Sequence, residues 1–444
     1  MTSLFRGAWA TLILLAFCFV ASGQTASGFA AQAASVSEFE VNGLKVIVKR
    51  RASAPTVAGG LFIRGGARNI SERDAGIENL MLATAVEAGK KTPRATIRRE
   101  LASLGSSMGS AVSNDYSAVS FVSTRANFNR LWEMFADVMM DPAFAAQDVE
   151  LNRERILTGL REAGTAPESA LQILQDKVVY AGHPYAHDVV GTTATISKFT
   201  PADLRAYHKR VMQTSQLLLV FVGDLEPEQL KAQIASTFGK LPRGDYKEQA
   251  MPALDFSKGT LNVTARALPT NYIQGSFSAP ALRDRDYYAM RVAMSLLASL
   301  VNDEVRTKRQ LSYAPDADMN NFAANTGMIS VSTTDANQAV AVMLDQIKLL
   351  QNYPLNDEII ADVADFFLTK HYLSLETNTA QAGELARYEL IGGGWRNSFE
   401  FLNGVRSVRP DDIKNVANKY MKNIRFSVVG NESSINRSVF VPAE

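Results

Sequence analysis

Metal or nucleophilic chemistry needs nitrogen, sulfur or carboxylate donors gathered at one place, and histidine and cysteine are scarce in this chain. Its four histidines are His183, His187, His208 and His371, and its single cysteine is Cys18. His183 and His187 stand four residues apart, a spacing that would put both rings on one face of a helix and so hold a metal. Pro184 lies between them and argues against a continuous helix there, so a turn that docks one part of the chain on another is the better reading. A second stretch, GIENLMLATAVEAGKKTP from Gly76 to Pro93, reads as a helix and contains no histidine or cysteine. Its Glu78 and Glu87 are nine residues apart, and at about 100° per residue they point to opposite sides. Ile77, Leu80, Leu82, Ala83 and Val86 make it a core or cleft-lining helix.

The elements around these residues come in two sets. TPADLRAYHKRVMQTSQLLLVFVGD resembles RPDDIKNVANKYMKNIRFSVVGN, with Pro201 matching Pro410 and Met212 matching Met421, each 209 residues apart (410−201, 421−212). Val122, Ser123 and Thr124 match Val331, Ser332 and Thr333 at the same offset. Agreement of separate segments on one offset indicates duplication. Each half opens with short strand-like runs (KVIVK and VAGGLFI; TLNVTA and YIQGSFS). Each then alternates strands (SAVSFVST; GMISVSTT) with amphipathic helices (NFNRLWEMFADVMM; NQAVAVMLDQIKLL) and closes on a strand (LLLVFVGD; RFSVVG). The order predicts an α+β fold of two homologous α/β sandwich domains, each a mostly antiparallel sheet covered by helices, facing each other across a clam-like chamber. The expected domains are 38–240 and 260–440, joined by a proline-, glycine- and charge-rich linker at 241–259.

Charge excludes one class of partner. Lys plus Arg number 46 against 45 Asp plus Glu, so the basic excess that nucleic acid demands is missing. Arg6, the apolar run ATLILLAFCFVA and the small-residue sites ASG or AQA form a secretory signal peptide at residues 1–33. The apolar run is shorter than the roughly 20 residues of a spanning helix, so no stable membrane span remains after cleavage. Phe17 stands before Cys18 where a lipoprotein signal has a small residue, which disfavours lipid attachment. The mature chain is then expected to be a periplasmic or otherwise exported protein with no cysteine, which excludes disulfides and thiolate chemistry.

With G-x-x-N-L-x-L-A preceded by GLFIRGGARN and followed by KKTP, LASLGSSMGSAVSNDYSAVSFVS and GHPYAHDVVGTTATISKFTPADLRAYHKRVM, the chain resembles the pitrilysin/insulinase (inverted-zincin) metallopeptidases. The resemblance runs from about residue 38 to about 432 and is to the short two-domain type related to mitochondrial processing peptidase. In that family H-x-x-E-H places two zinc ligands and a water-activating Glu on one helix face. The resemblance puts Asn79 at the first His, Leu82 at the catalytic Glu and Ala83 at the second His. It puts Gly159, in RILTGLRE, at the third ligand. All four are degenerate, so no metal is expected in this chain.

A second family element, resembling L-R-E-x-R-G-L-A-Y, supplies an Arg and a Tyr that hold the substrate backbone and steady the oxyanion. Here it reads DEVRTKRQLSYAPDADM, and Arg306 and Tyr313 keep the spacing of seven (313−306). Thr307 stands where Glu is usual and Gln310 where Gly is usual. The helix DYYAMRVAMSLLASLVNDEVR would end near Arg306 and the next strand begin near Leu311, bringing a guanidinium and a phenol to one turn, where both could donate to a developing oxyanion. The resemblance therefore implies a non-catalytic, substrate-binding subunit, inactive alone, whose heterodimer partner carries H-x-x-E-H and the zinc, acting on peptides. The alternative is a family scaffold or binding protein without proteolytic role, like the members that became structural subunits of the respiratory cytochrome complex.

Overall fold

The computed structural model describes residues 33–353 and 355–441, so the expected signal peptide lies, but for residue 33, outside the described residues. Among the described residues, eleven strands form two sheets. The first takes β1 (Val36–Val41), β2 (Leu44–Arg50), β3 (Thr56–Arg64), β4 (Ser107–Val112), β5 (Tyr116–Thr124) and β6 (Leu217–Gly223) in the order β1-β2-β6-β3-β5-β4. The second takes β7 (Thr260–Ala265), β8 (Asn271–Ala279), β9 (Asp316–Met319), β10 (Asn325–Thr333) and β11 (Arg425–Gly430) in the order β7-β11-β8-β10-β9. With β1 set aside the two orders are the same, and each sheet has one parallel pair, β2 with β6 and β7 with β11, among antiparallel neighbours. The fold is α+β and duplicated. β1 is added through a two-residue hairpin at Asn42 and Gly43, whose φ of 52° and 79° are those a tight hairpin turn requires.

The offset of 209 holds for β4 and β5 against β9 and β10 and for the helices Pro201–Val211 and Pro410–Tyr420. It becomes 215 at β3 and β8 (271−56), the difference being absorbed by the loops between. Both paired helices start on Pro at the first turn, where a missing N–H costs nothing. Thr200 N–H donates to Asp203 Oδ2 at 2.8 Å, and Arg409 N–H to Asp412 Oδ2 at 2.9 Å. Both end on a methionine of similar backbone, Met212 at φ −78°, ψ 66° and Met421 at φ −82°, ψ 59°.

Strand β6, LLLVFVG, is buried along its whole length, and its two faces belong to two different cores. Leu217, Leu219 and Phe221 pack with the first half's own helices, including Leu131, Phe135 and Met139 of the amphipathic Phe128–Met140 helix. Leu218, Val220 and Val222 join the second half's core instead. The cause is an exchange: the Asn378–Ile391 helix of the second half lies on β3 and β6, while Pro167–Val179 of the first half lies on β8 and β11. Hydrogen bonds pin both, from Asn378 Nδ2 to Thr56 O at 2.7 Å and from Arg425 Nη1 to Val178 O at 3.0 Å. Each half thus covers the other's sheet, and a strand buried on both faces reads as a continuous apolar run rather than an alternating one. Residues 241–259 contain neither helix nor strand. Among the described residues no helix is long and apolar enough to cross a membrane.

Candidate functional site

The Ile77–Ala85 helix packs against Ala146–Thr165, Pro201–Val211 and β4. Asn79 is half-buried, and its Nδ2 donates to Val190 O at 3.1 Å, which ties the helix to the 183–192 loop. Leu82 is fully buried in the first core. Ala83 is half-buried, and Gly159 is exposed on the neighbouring helix with open space where a side chain would begin. Zinc needs about four nitrogen, sulfur or carboxylate donors in a tetrahedral set. An amide committed to a carbonyl, a core leucine, an alanine and a glycine do not fit it. Among the described residues no group of three or more His, Cys, Asp or Glu could hold a metal ion.

Two acidic residues of this stretch have work that the sequence did not reveal. The helix ends at Ala85, so Glu87 lies beyond it and the helical-phase argument applies to Glu78 alone. Glu87 accepts from Arg94 at 2.9 Å, Arg98 at 3.1 Å and Arg155 at 2.9 Å. Partial burial alone would raise its proton affinity, but Arg94, then Arg155 and Arg98, hold it below the ordinary carboxylate value. Glu78 is buried and accepts from Tyr207 OH at 2.7 Å. Burial raises its proton affinity, outweighing Tyr207 and Arg210.

The His183 turn docks the two halves. Pro184–Ala186 is one short 3-10 turn; His183 Nδ1 accepts from Tyr185 N–H at 3.1 Å and its Nε2 lies 3.1 Å from Pro252 O of the linker. Tyr185 OH donates to Asp115 Oδ1 at 2.5 Å and accepts from Ala324 N–H at 3.3 Å. Buried Asp115 also accepts from Arg68 at 3.1 Å and, through Oδ2, from Ala323 N–H at 2.9 Å. One carboxylate therefore links the first sheet, the turn and the second half.

Arg306 and Tyr313 come together, with the guanidinium carbon 4.2 Å from the ring centroid and both residues exposed. The α-helix runs Tyr287–Val301 and continues as a wider, π-type turn over Asn302–Lys308, so Arg306 lies in that last turn. The chain reverses at Gln310, whose φ of 55° is left-handed, with Leu311 N–H on Val305 O at 2.9 Å. The following strand begins at Asp316 and not near Leu311, because residues 309–315 are spent on this turn.

Residues 45–193 match the profile described as insulinase (peptidase family M16), and residues 198–365 match the peptidase M16 inactive domain. The chain belongs to the M16 peptidase family. It is 22% identical over 414 residues to a probable mitochondrial-processing peptidase subunit beta of Arabidopsis thaliana, covering 88% of this chain and 77% of the relative. It is 25% identical over 270 residues to the cytochrome b-c1 complex subunit 1 of Bos taurus, a match covering 59% of this chain and spanning only 56% of the bovine protein. Among solved structures, the peptidase M16 inactive domain of Pseudomonas fluorescens superposes with a TM-score of 0.78 at 20% identity, covering 89% of this chain and 98% of that one. A Helicobacter pylori protease superposes with a TM-score of 0.80 at 16% identity, over 89% and 99%. These likenesses establish the M16 fold. The Arabidopsis and bovine relatives are both subunits by name.

Proposed function

We propose that this chain is a non-catalytic, substrate-binding subunit of an exported, heteromeric zinc peptidase acting on peptides. The observation that carries the reading is a division within one M16 chain. The resemblance aligns Asn79, Leu82, Ala83 and Gly159 with the positions of metal chemistry, for which these residue types are unsuited, while Arg306 and Tyr313 stand exposed beside one turn. A guanidinium and a phenol can hold a peptide carbonyl and stabilise negative charge on it; the zinc and its activated water would come from a partner with H-x-x-E-H. The subunit names of the Arabidopsis and bovine relatives support a heteromer. The segment 1–33 supports export to the periplasm.

The test is capture from the exported fraction followed by reconstitution. A zinc peptidase with H-x-x-E-H co-purifies, peptide cleavage requires both chains, and Arg306→Ala abolishes most of it. Tight zinc binding and cleavage by the isolated chain would overturn the reading. The bovine relative favours a second one, a family scaffold without proteolytic role; then no peptidase co-purifies, and substitutions at Arg306 and Tyr313 leave assembly unchanged.

A further inference from the structure

Lys45 and Lys49 lie four residues apart on one face of β2, over the exchanged Asn378–Ile391 helix, and meet opposite surroundings. Lys45 Nζ sits between Glu38 at 3.0 Å and Glu389 at 2.8 Å. Lys49 is only 8% exposed and has no carboxylate partner among the described residues; its ammonium stands 5.4 Å from the centroid of the Phe399 ring. Burial, then the charge of Arg51, push its proton affinity down to about 8. A cation taken out of water without a counter-charge is costly, and this one lines a cavity of about 680 Å³ between β2 and the helices Asp357–Ser374 and Asn378–Ile391.

The rest of the cavity wall favours an anion. The guanidinium of Arg51 is fixed by Asn378 Oδ1 at 2.5 Å and Glu376 O at 3.4 Å, two neutral acceptors. His371 lies flat on Phe401 at 5.3 Å, its proton affinity lowered by burial and then by Arg387 and Lys49. Of the lining carboxylates, Glu384 is paired with Arg387 and Glu376 is exposed. Gln381 donates from Nε2 to Leu375 O at 2.7 Å, while its Oε1 is buried without a donor. Leu385 and Phe399 supply apolar surface.

We propose that this cavity binds the free C-terminus of a peptide whose last side chain is apolar. Lys49 and Arg51 take the carboxylate, the N–H of the last residue answers Gln381 Oε1, and the side chain rests on Leu385 and Phe399. A free amino acid fits less well, because its α-ammonium, one carbon from the carboxylate, would be brought beside Lys49 and Arg51. The cavity shares no lining residue with the Ile77–Ala85 helix or the Arg306–Tyr313 pair, so the proposal stands independently of the peptidase reading.

Calorimetric titration of the full mature chain with N-acetyl-L-leucine tests it. The acid binds, while N-acetyl-L-leucinamide, which lacks the charge, and L-leucine, which adds a cation, bind on the order of tenfold more weakly or not at all. Octanoate, with a carboxylate but no N–H, is also weaker. Lys49→Met keeps the apolar stem and loses about tenfold in affinity for the acid. In the unmodified protein, N-acetyl-L-leucine protects Lys49 from acetylation by N-hydroxysuccinimidyl acetate, read by mass spectrometry, which needs no variant to fold. Equal affinity for acid and amide, no binding of the acid, or no protection of Lys49 overturns the site. Octanoate binding as tightly as N-acetyl-L-leucine overturns the peptide C-terminus as its ligand.

Discussion

The Arg306 guanidinium carbon rests 4.2 Å from the centre of the Tyr313 ring, and Tyr313 is 81% exposed. The interval of seven is set by geometry: the helix ends, the chain reverses at Gln310, and both side chains emerge on the same side. An exposed cation–π pair adds little to stability, so conserving the fold does not require it. Arg306→Ala is expected to leave the melting temperature of the isolated chain unchanged, as for most surface substitutions, while removing the partner-dependent peptide cleavage proposed for it. A marked fall in melting temperature would assign the pair a structural duty instead.

The turn itself is strained. Gln310 has a φ of 55°, a region that costs an L-residue roughly 1–2 kcal/mol and glycine very little. Glycine in turn loses more backbone entropy on folding, by roughly 0.5–1 kcal/mol. Gln310→Gly is therefore expected to stabilise the chain by a few tenths to about 1 kcal/mol, seen as a higher thermal midpoint. A lower midpoint would mean that the Gln310 side chain contributes more than its backbone costs.

Much of this architecture was legible in the sequence, and the failures have physical causes. The 209 offset, the two helices beginning at Pro201 and Pro410, and the continuous apolar run of β6 all follow from local chemistry and reappear in the structure. Strands β4 and β9 were missed because SMGSAV and DADM are short, half-exposed edge strands with little apolar surface to pattern. The exchanged helices were not foreseeable, because nothing in Asn378–Ile391 says that it covers the other half's sheet. The reading of Asn79, Leu82, Ala83 and Gly159 as blank metal positions rests on the spacing and segments of the family they resemble. Asp115, Glu78 and Lys49 carried no such spacing, since their partners are distant in the chain.

Asp115 is where that distance matters most for stability. It receives Arg68, Tyr185 and the Ala323 amide; Arg68 would keep Glu248 at 2.7 Å and Gln249 O at 2.9 Å, but the Tyr185 hydroxyl and the Ala323 amide would lose their acceptor, at about 1–3 kcal/mol each. Asp115→Ala is expected to lower the thermal midpoint sharply and to expose the 241–259 linker to limited proteolysis. Unchanged cleavage of the linker would show that the docking does not depend on this carboxylate.

Placing a glutamate at Leu82, which the family resemblance aligns with the catalytic acid, should fail for a packing reason. Leu82 is wholly inside the core, so Leu82→Glu deletes apolar contacts worth about 1.5–3 kcal/mol and takes a carboxyl out of water into that core. The expected result is a variant less stable by several kcal/mol that gains no zinc, measured by denaturation and by metal analysis after dialysis. A stable variant would mean that this helix face opens readily to solvent.

Glu78 provides a pH-dependent check on the same helix. Its proton affinity is raised, chiefly by burial, so the folded state favours the neutral acid. That contribution is complete below the ordinary glutamate pKa of about 4.3 and is lost as pH rises through the raised folded value. The side-chain amide of a Glu78→Gln variant imitates the neutral acid at every pH and still accepts from Tyr207. The two proteins should therefore have similar midpoints near pH 4, with the variant becoming the more stable as pH rises to 8. A variant that is less stable at pH 8 than the parent would show that the ionised carboxylate, held by Tyr207 and the Arg210 charge, is the favoured form, and that burial does not dominate at this position.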